Sequence, residues 1–305
     1  MVESSGNTNH SKEASLAQSI ANETYAQTVY RRFKRHRLGF ISLIFLIVIV
    51  ALIILVPLLS PYDPNGIVGN YKEAPSLAHP LGTDQVGRDM LTRLFTGAGV
   101  SLLVALSSTL ISTLVGIVLG LLSGYFGSWV DILIMRITDV VMSFPYLLLV
   151  LVFAAIFDPG MWNIILILSF VNWPAMARLV RSNVMAIRKV NFVQGSRAAG
   201  MTHAYIMFKD ILPNTMAPVL INASSVLALT MLDEAALSYL AMGVQPPTAS
   251  LGNLLNVAQS FSILKNYPWM WIPPGVFIIL LVVAINFIGD ALRDALDPQN
   301  QSQTH

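Results

Sequence analysis

The chain has 305 residues, of which 55% are hydrophobic and 11% are charged, and its formal net charge is +2. Soluble domains carry about 25% charged residues, so this composition excludes an ordinary soluble domain and indicates a helical membrane protein. Cysteine is absent, which excludes disulfides, thiol catalysis and thiolate metal sites.

The N-terminal part divides into a polar tail and a basic segment. Residues 1–28 are polar, and we expect them to form a disordered cytoplasmic tail. They lack the early apolar core of a cleavable signal peptide. The segment YRRFKRHR at 30–37 then places five Arg/Lys in eight residues. Such a segment is typical of an anchor that touches anionic lipid rather than nucleic acid. Residues 29–98 are predicted to hold this anchor, the first transmembrane helix and an outer loop.

Six apolar runs are long enough to cross a bilayer, which takes about 20 residues. They lie at about 39–59, 99–123, 132–157, 162–180, 215–242 and 271–290. The sequence therefore predicts an all-α, polytopic membrane protein with six transmembrane helices. Its core domain is expected at 99–298, followed by a short tail at 299–305.

Lysine and arginine are concentrated on one side of these spans. The positive-inside rule places 30–37 in the cytoplasm, and six spans return the C-terminus to the same side. The loop 183–214 is then cytoplasmic too, and its neighbourhood carries Arg178, Arg181, Arg188, Lys189, Arg197 and Lys209. The predicted outer loops hold only Lys72, Arg88, Arg93 and Lys265.

The second span carries a small residue at every fourth position, namely Ser108, Ser112, Gly116, Gly120 and Gly124. A stripe of this kind lets helix backbones approach closely in lipid. It predicts a tight helix contact, either inside the chain or between subunits.

Two pairs of charged residues fall within or near the spans. Arg136 and Asp139 are three residues apart, so they are predicted to pair on one helix face. Asp233 and Glu234 come about 30 Å along the fifth span, near its outer end. They are interpreted either as a polar lining or gate at the outer mouth, or as an interfacial cap with hydrogen-bonded partners.

Enzyme motifs are missing from the sequence. Neither the nucleotide-binding pattern G-x-x-x-x-G-K-[ST] nor the zinc pattern H-E-x-x-H occurs. The five histidines are scattered, and no Ser/His/Asp set shares a consistent depth in the membrane. We therefore expect a chain that is not an enzyme and that binds no cofactor.

The longest interior polar block, NFVQGSRAAGMTHAYIMFKDILPN, spans 191–214. NFVQGSRAA is a candidate short helix, and Gly200 allows a turn because glycine tolerates positive φ. Thr202 can cap a second helix, which Pro213 is predicted to close. The block is interpreted either as a stiff mechanical coupler between two spans or as an amphipathic helix on the lipid surface.

This block resembles the cytoplasmic "EAA" loop of ABC importer permeases. That motif runs E-A-A, three residues and G, and it closes further along the chain with a hydrophobic position and L-P. Gln194-Gly195-Ser196 stand at the E-A-A positions, Gly200 at the glycine, and Leu212-Pro213 at the closing pair.

Other segments resemble the C-type permeases of oligopeptide, dipeptide and nickel importers. They are HPLGTDQVGRDMLTRLFTGAGVSL (79–102), RITDVVMSFPYLLLVL (136–151), DEAALSYLAMGVQPPTASLGNLL (233–255) and INFIGDALRDALDP (285–298). The resemblance covers about 30–298 and implies a type I ABC importer permease fold in a bacterial or archaeal inner membrane.

The resemblance also implies partners. The chain would form a pore with a homologous B-type permease, while two cytoplasmic ATPases bind ATP and Mg and an extracytoplasmic binding protein delivers peptide. A nickel or other small-solute importer of the same family, or a self-standing channel or secondary transporter, are the alternatives.

The resemblance and the pattern together nominate two sets of residues. Contact with the ATPases is expected at Phe192, Val193, Gln194, Gly195, Arg197, Ala198, Gly200, Met201, Leu212 and Pro213. An outer gate or binding-protein contact is expected at Asp84, Arg88, Asp89, Asp233, Glu234 and Gln245.

Overall fold

The computed structural model describes residues 25–296, and all regular secondary structure in that range is helical. The predicted tail at 299–305 and residues 1–24 of the predicted N-terminal tail lie outside the described residues. Residues 25–28, which the sequence assigns to that tail, form the start of the first helix instead.

The α-helices within residues 25–296 are numbered here in chain order. They are α1 Tyr25–Arg35, α2 Arg37–Leu59, α3 Met90–Phe126, α4 Ser128–Ser143, α5 Tyr146–Ile156, α6 Met161–Ile187, α7 Asn191–Ala198, α8 His203–Tyr239, α9 Leu251–Asn256, α10 Phe261–Asn266 and α11 Ile272–Leu296.

Five helices are long and apolar enough to cross a membrane without interruption: α2, α3, α6, α8 and α11. The third predicted span is split into α4 and α5, which meet at an angle of 86°. Counted as one broken span, this pair completes the six transmembrane segments that the sequence predicts.

The break between α4 and α5 has a local cause in the sequence Ser143-Phe144-Pro145. Proline has no N–H to donate, and its ring disfavours helical geometry at the preceding residue. Phe144 accordingly adopts an extended backbone, with φ −87° and ψ 141°. The helix therefore ends at Ser143 and restarts in a new direction at Tyr146.

The bundle is organised around the packing of α3 against α6. A Cβ placed on Gly116 would lie 2.6 Å from the Met176 side chain, and one on Gly120 would lie 2.6 Å from that of Val180. Gly124 meets Val184 in the same way, at 2.7 Å. Only residues without a side chain fit these positions, so the small stripe of the second span makes a contact inside the chain.

The two serines of the stripe continue this seam towards the start of α6. Ser108 and Ser112 are both buried. The Ser108 hydroxyl donates to the backbone oxygen of Ile165 on α6 at 3.3 Å, and the Ser112 hydroxyl donates to the Thr109 carbonyl within α3 at 3.0 Å. Their polar atoms are thus satisfied without interrupting the close approach.

Because successive spans alternate in direction, the bundle has two distinct ends. The basic end carries α1, α7 and the residues between α6 and α8. The cap end carries residues 60–89 and 240–271. At the basic end, His36 accepts a hydrogen bond from the Gly39 N–H at 3.0 Å, which caps α2, and it pairs with Asp294 of α11 at 3.6 Å.

We expect Gly120→Ala to destabilise the bundle, because the added methyl group overlaps Val180. Overpacking of this kind costs about 1–3 kcal/mol, so the midpoint of thermal unfolding in detergent should fall. Gly160→Ala is the matched control, since a Cβ at Gly160 meets nothing within 4 Å. Equal midpoints for the two variants would contradict the close-packed seam.

Candidate coupling surface and polar cluster

Helix α7 is an eight-residue helix with a single buried anchor. Val193 is 0% exposed and packs in the same core cluster as Tyr125, Val184 and Ile206. Among residues 191–201 every other position is half-buried or exposed, including the large apolar side chains Phe192 and Met201. A helix this short is marginal in water on its own, so it depends on what holds it at each end.

The turn that follows α7 uses glycine as the sequence predicts. Gly200 has φ +76°, in the left-handed region. The Gly200 N–H donates to the Arg197 carbonyl and the Met201 N–H to the Ser196 carbonyl, both at 3.1 Å. This pair of bonds is the Schellman arrangement of a helix C-terminus. Thr202 then caps α8 by accepting from the Tyr205 N–H at 3.2 Å.

Side chains fasten α7 to the end of α3. Arg188 donates to the carbonyls of Gly124 and Tyr125 at 2.8 and 3.3 Å, which satisfies the last turn of α3. Gln194 of α7 donates in turn to the Arg188 carbonyl at 2.9 Å. Gln194, the first residue of the E-A-A positions, is therefore exposed but held to the segment that precedes α7.

Tyr125 is a contact point that sequence reasoning missed. Its hydroxyl and the Nδ1 atom of His203 share a hydrogen bond of 2.8 Å, and the Arg197 guanidinium lies 5.6 Å from the centre of its ring. It therefore joins α3, α7 and the start of α8. An aromatic residue at the end of a transmembrane span is typical of an interfacial anchor. The sequence therefore does not indicate that Tyr125 connects three helices.

The first part of α8 differs from the prediction. Pro213 does not close a separate helix, since the chain is helical from His203 to Tyr239, with a π-helical segment at Ile206–Ile211. Proline removes one backbone hydrogen bond and its ring crowds the carbonyl four residues earlier. The wider π turn just before Pro213 absorbs this disturbance. Leu212 is half-buried and Pro213 is exposed.

The exposed apolar side chains of α7, of the turn and of the start of α8 form one surface, here called the coupling surface. It comprises Phe192, Met201, Tyr205 and Phe208. Gly195 lies on the exposed side of α7, and a Cβ placed there would meet nothing within 4 Å. The surface therefore projects from the basic end with space around it.

Ion pairs connect α6, which leads directly to α7, with the broken span. Arg181 binds both carboxylate oxygens of Asp131 on α4, at 2.5 and 2.6 Å, and the Ser123 hydroxyl of α3 donates to the same carboxylate. Arg178 pairs with Asp139 of α4 at 2.5 Å. The predicted Arg136–Asp139 pair is therefore wrong, because Asp139 turns to the neighbouring helix.

Four polar side chains from three helices meet near the cap end, here called the polar cluster. Tyr146, the first residue of α5, donates its hydroxyl proton to Asp233 Oδ2 at 2.5 Å. Asn172 of α6 lies beside the same hydroxyl and donates to the Thr230 hydroxyl of α8 at 3.4 Å. Asp233 precedes the end of α8 by six residues. Sequence reasoning placed Asp233 near this end but found none of its partners.

Glu234 lies beside Asp233 in sequence but has a different environment. It is 0% exposed, so it faces no opening. It accepts from the Ser238 hydroxyl at 2.7 Å, and that hydroxyl accepts from the Val244 N–H at 3.0 Å. Glu234 thus fastens the cap end to α8. Of the two interpretations left open by the sequence, the hydrogen-bonded cap fits Glu234.

The other residues nominated for the outer face mostly hold the cap together. Asp89 is buried, caps α3 and binds His79 at 2.9 Å. Asp84 is buried and lies 3.4 Å from the Arg93 guanidinium. Arg88 and Gln245 are half-buried, and the Gln245 amide donates to the Ala241 carbonyl at 2.6 Å. None of these four side chains is more than half-exposed.

The chain is a helical bundle with one broken span and an exposed helix between two membrane helices, and comparison with known proteins shows its class. Residues 116–301 match the family described as binding-protein-dependent transport system inner membrane component. Residues 24–80 match the N-terminal TM domain of oligopeptide transport permease C. The chain belongs to this family of transport system inner membrane components.

Curated relatives match nearly the whole chain. A putative peptide permease protein of Brucella suis is 39% identical over 88% of this chain and 89% of its own length. A dipeptide transport system permease protein of Alkalihalophilus pseudofirmus is 37% identical over 90% of each chain. A glutathione transport system permease protein of Pectobacterium atrosepticum is 36% identical over 90% of this chain and 91% of its own.

Solved structures show the same fold. The MetNI methionine ABC transporter in an inward-facing conformation matches with a TM-score of 0.55 and 20% identity, covering 68% of this chain and 98% of that one. An amino acid ABC transporter matches with a TM-score of 0.50 and 16% identity, covering 66% of this chain and 92% of that one. The predicted importer permease fold is confirmed.

The two ion pairs between α4 and α6 should differ in their contribution to stability. Asp131→Asn weakens the bidentate, partly buried pair with Arg181, and hydrogen bonds to charged groups contribute about 1.5–3 kcal/mol to stability. Asp139→Asn weakens a half-exposed pair, which contributes at most about 1 kcal/mol. Thermal unfolding in detergent should therefore show a larger drop for Asp131→Asn. The reverse order would contradict the assignment of Asp131 as the stronger link.

Proposed function

We propose that this chain is one of two permease subunits of an ATP-driven importer that carries dipeptides or oligopeptides across a bacterial or archaeal inner membrane. The observation that carries the proposal is the coupling surface, an exposed apolar patch on α7, the turn after it and the start of α8. Helix α7 is attached to α3, α6 and α8. The names of the relatives, which are permeases for peptides, dipeptides and glutathione, support a peptide as the cargo.

The orientation follows from charge. The basic end carries the cluster 30–37 and the arginines and lysines of the 178–209 region, so the positive-inside rule places it in the cytoplasm. Both termini are then cytoplasmic, and the cap end faces the opposite side. There an extracytoplasmic binding protein delivers its cargo.

The assembly needs three further kinds of protein. A homologous B-type permease completes the translocation path, and two cytoplasmic ATPases supply the ATP and Mg chemistry that this chain lacks. Contact with one ATPase falls on the coupling surface, together with the nominated residues Gln194, Gly195 and Arg197. In this assembly the chain binds no cofactor of its own.

The mechanism is alternating access driven from the cytoplasm. Closure of the ATPases displaces α7, and α6 moves with it because only residues 188–190 separate the two helices. The Arg181–Asp131 and Arg178–Asp139 pairs pass the movement to α4 and so to the break before α5. Each of the two states then requires its own favourable contacts, since a ligand shifts an equilibrium only by its differential affinity.

Gly200→Val should impair transport without preventing membrane insertion. A β-branched residue in left-handed backbone is strained by about 1–3 kcal/mol, so the turn after α7 relaxes and the coupling surface shifts. Uptake of trialanine by proteoliposomes that contain the complete transporter should fall at least tenfold. Gly160→Val, in an open loop at the cap end, is the control. Equal uptake by Gly200→Val and the parent, at equal abundance, would contradict the coupling role.

A crosslink can identify the partner of the coupling surface, because the chain has no natural cysteine. Phe192→Cys, labelled with a benzophenone maleimide in the intact complex, should form an ATPase adduct of defined mass on illumination. Leu38→Cys, an exposed position in the first turn of α2, should form none. If the probe at residue 192 reached only lipid, α7 would be a surface helix and the proposed function would fail.

A further inference from the structure

Asp233 is a carboxylate inside a membrane-spanning helix without a cationic partner among residues 25–296. It lies about 9 Å from the end of α8, given the rise of an α-helix. No ion pair joins it to a described arginine, lysine or histidine. By contrast, Asp131 and Asp139 each bind an arginine of α6. Ionisable groups at membrane depth normally pair with one another, and an unpaired one marks a functional site.

The carboxylate has one oxygen engaged and one available. Tyr146 donates to Oδ2, and no other described side chain or backbone group forms a hydrogen bond with the carboxylate. Asp233 is half-buried rather than enclosed, and its partner Tyr146 is exposed. The second oxygen, Oδ1, is therefore free to accept a hydrogen bond from a group that approaches from outside the chain.

The helix break adds acceptors beside this carboxylate. Helix α4 ends at Ser143, so the carbonyls of its last turn receive no backbone N–H of the helix. The Val140 carbonyl accepts from the Ser143 hydroxyl at 2.7 Å, and those of residues 141–143 accept from no described side chain. The end of a helix also carries a partial negative charge. Residues 142–148, on both sides of the break, are exposed. The break and Asp233 are joined through the Tyr146 side chain, and both favour a positive charge.

The rest of the polar cluster is neutral. Asn172 and Thr230 contribute an amide and a hydroxyl, while the nearest arginine of α6, Arg178, is neutralised by Asp139. A protonated amine carries three hydrogen-bond donors and no acceptor. A carboxylate oxygen, an amide oxygen and free backbone carbonyls are the acceptors that such a group needs.

We infer that Asp233, held by Tyr146 at the α4–α5 break, forms a subsite that accepts a primary ammonium group of the passing cargo. This inference rests on the proposed function. For a peptide, the ammonium is either the amino terminus or a lysine side chain. The subsite lies near the cap end, so the cargo meets it early on its way to the cytoplasm. A single carboxylate in a half-exposed setting binds weakly enough for the cargo to leave again.

A purely structural role for the same pair makes a different prediction. If Tyr146 and Asp233 only latch α5 to α8, removing the hydroxyl in Tyr146→Phe breaks the latch. Asp233→Asn retains an acceptor oxygen and preserves it. A cation subsite requires the opposite order, because Asp233→Asn removes the negative charge while Tyr146→Phe leaves it in place. The two variants therefore separate the roles.

The experiment uses the complete transporter, with its partner permease, ATPases and binding protein, in proteoliposomes. The probes are trialanine, Ala-Lys-Ala and Ala-Glu-Ala, each bound to the binding protein at saturation. Asp233→Asn should lower the uptake of Ala-Lys-Ala at least tenfold, Tyr146→Phe should lower it less than threefold, and Asp233→Glu should restore it to within threefold of the parent. A loss confined to Ala-Lys-Ala assigns the lysine side chain as the ligand, and an equal loss for all three probes assigns the amino terminus.

Three results would overturn the subsite. The first is uptake of all three probes by Asp233→Asn within twofold of the parent. The second is an equal loss of Ala-Lys-Ala uptake in Tyr146→Phe and Asp233→Asn. The third is loss, in Asp233→Asn, of the stimulation of ATP hydrolysis by loaded binding protein, because that loss indicates a conformational role for Asp233. Uptake by the parent transporter is measured before that of any variant. If the parent takes up none of the three probes, that result rejects the proposed function rather than the subsite.

Discussion

The close approach of α3 and α6 is the contact on which the rest of the structure depends. In lipid there is no hydrophobic gain from bringing two apolar helices together, so van der Waals packing decides which helices associate. Glycines at 116, 120 and 124 let the α6 backbone and the side chains of Met176, Val180 and Val184 approach α3. The seam runs into the last turn of α3, where α7 is attached. A tight seam therefore gives the short exposed helix a rigid base.

The final turn of α3 is the main attachment point of α7, and residues of α6 and α8 complete it. Val193 fills the core beside Tyr125, Arg188 caps the α3 carbonyls, and Tyr125 reaches His203 at the start of α8. An eight-residue helix with one buried side chain would otherwise fray. Because its fixtures belong to three different spans, a push on α7 cannot be absorbed by local bending alone. In the proposed mechanism this is the property that lets a soluble partner move membrane helices.

The sequence predicted the features that local rules control. Hydrophobic length gave the spans, the four-residue spacing of small residues gave the α3 seam, and the glycine rule gave the turn at Gly200. Contacts between distant segments escaped it. Asp139 had a partner three residues away on its own helix, yet it binds Arg178, and spacing along one helix says nothing about a neighbour 39 residues further on. The break at Pro145 is readable in hindsight, but proline in a membrane helix is often tolerated, so its presence alone does not decide the outcome.

The adjacent residues Asp233 and Glu234 show why two polar residues that are neighbours in sequence can have different roles. Neighbouring positions on a helix point about 100° apart, so one side chain can face the core while the other faces a cleft. Glu234 turns inward and accepts from the Ser238 hydroxyl, which in turn holds the cap. Removing that hydroxyl would leave the buried carboxylate without this hydrogen bond. Asp233 turns towards the broken span, where its partner is Tyr146, the first residue after the break. Asp131 and Asp139 are thus held by arginines of α6, whereas Asp233 is held by a tyrosine, and its second oxygen has no partner among residues 25–296.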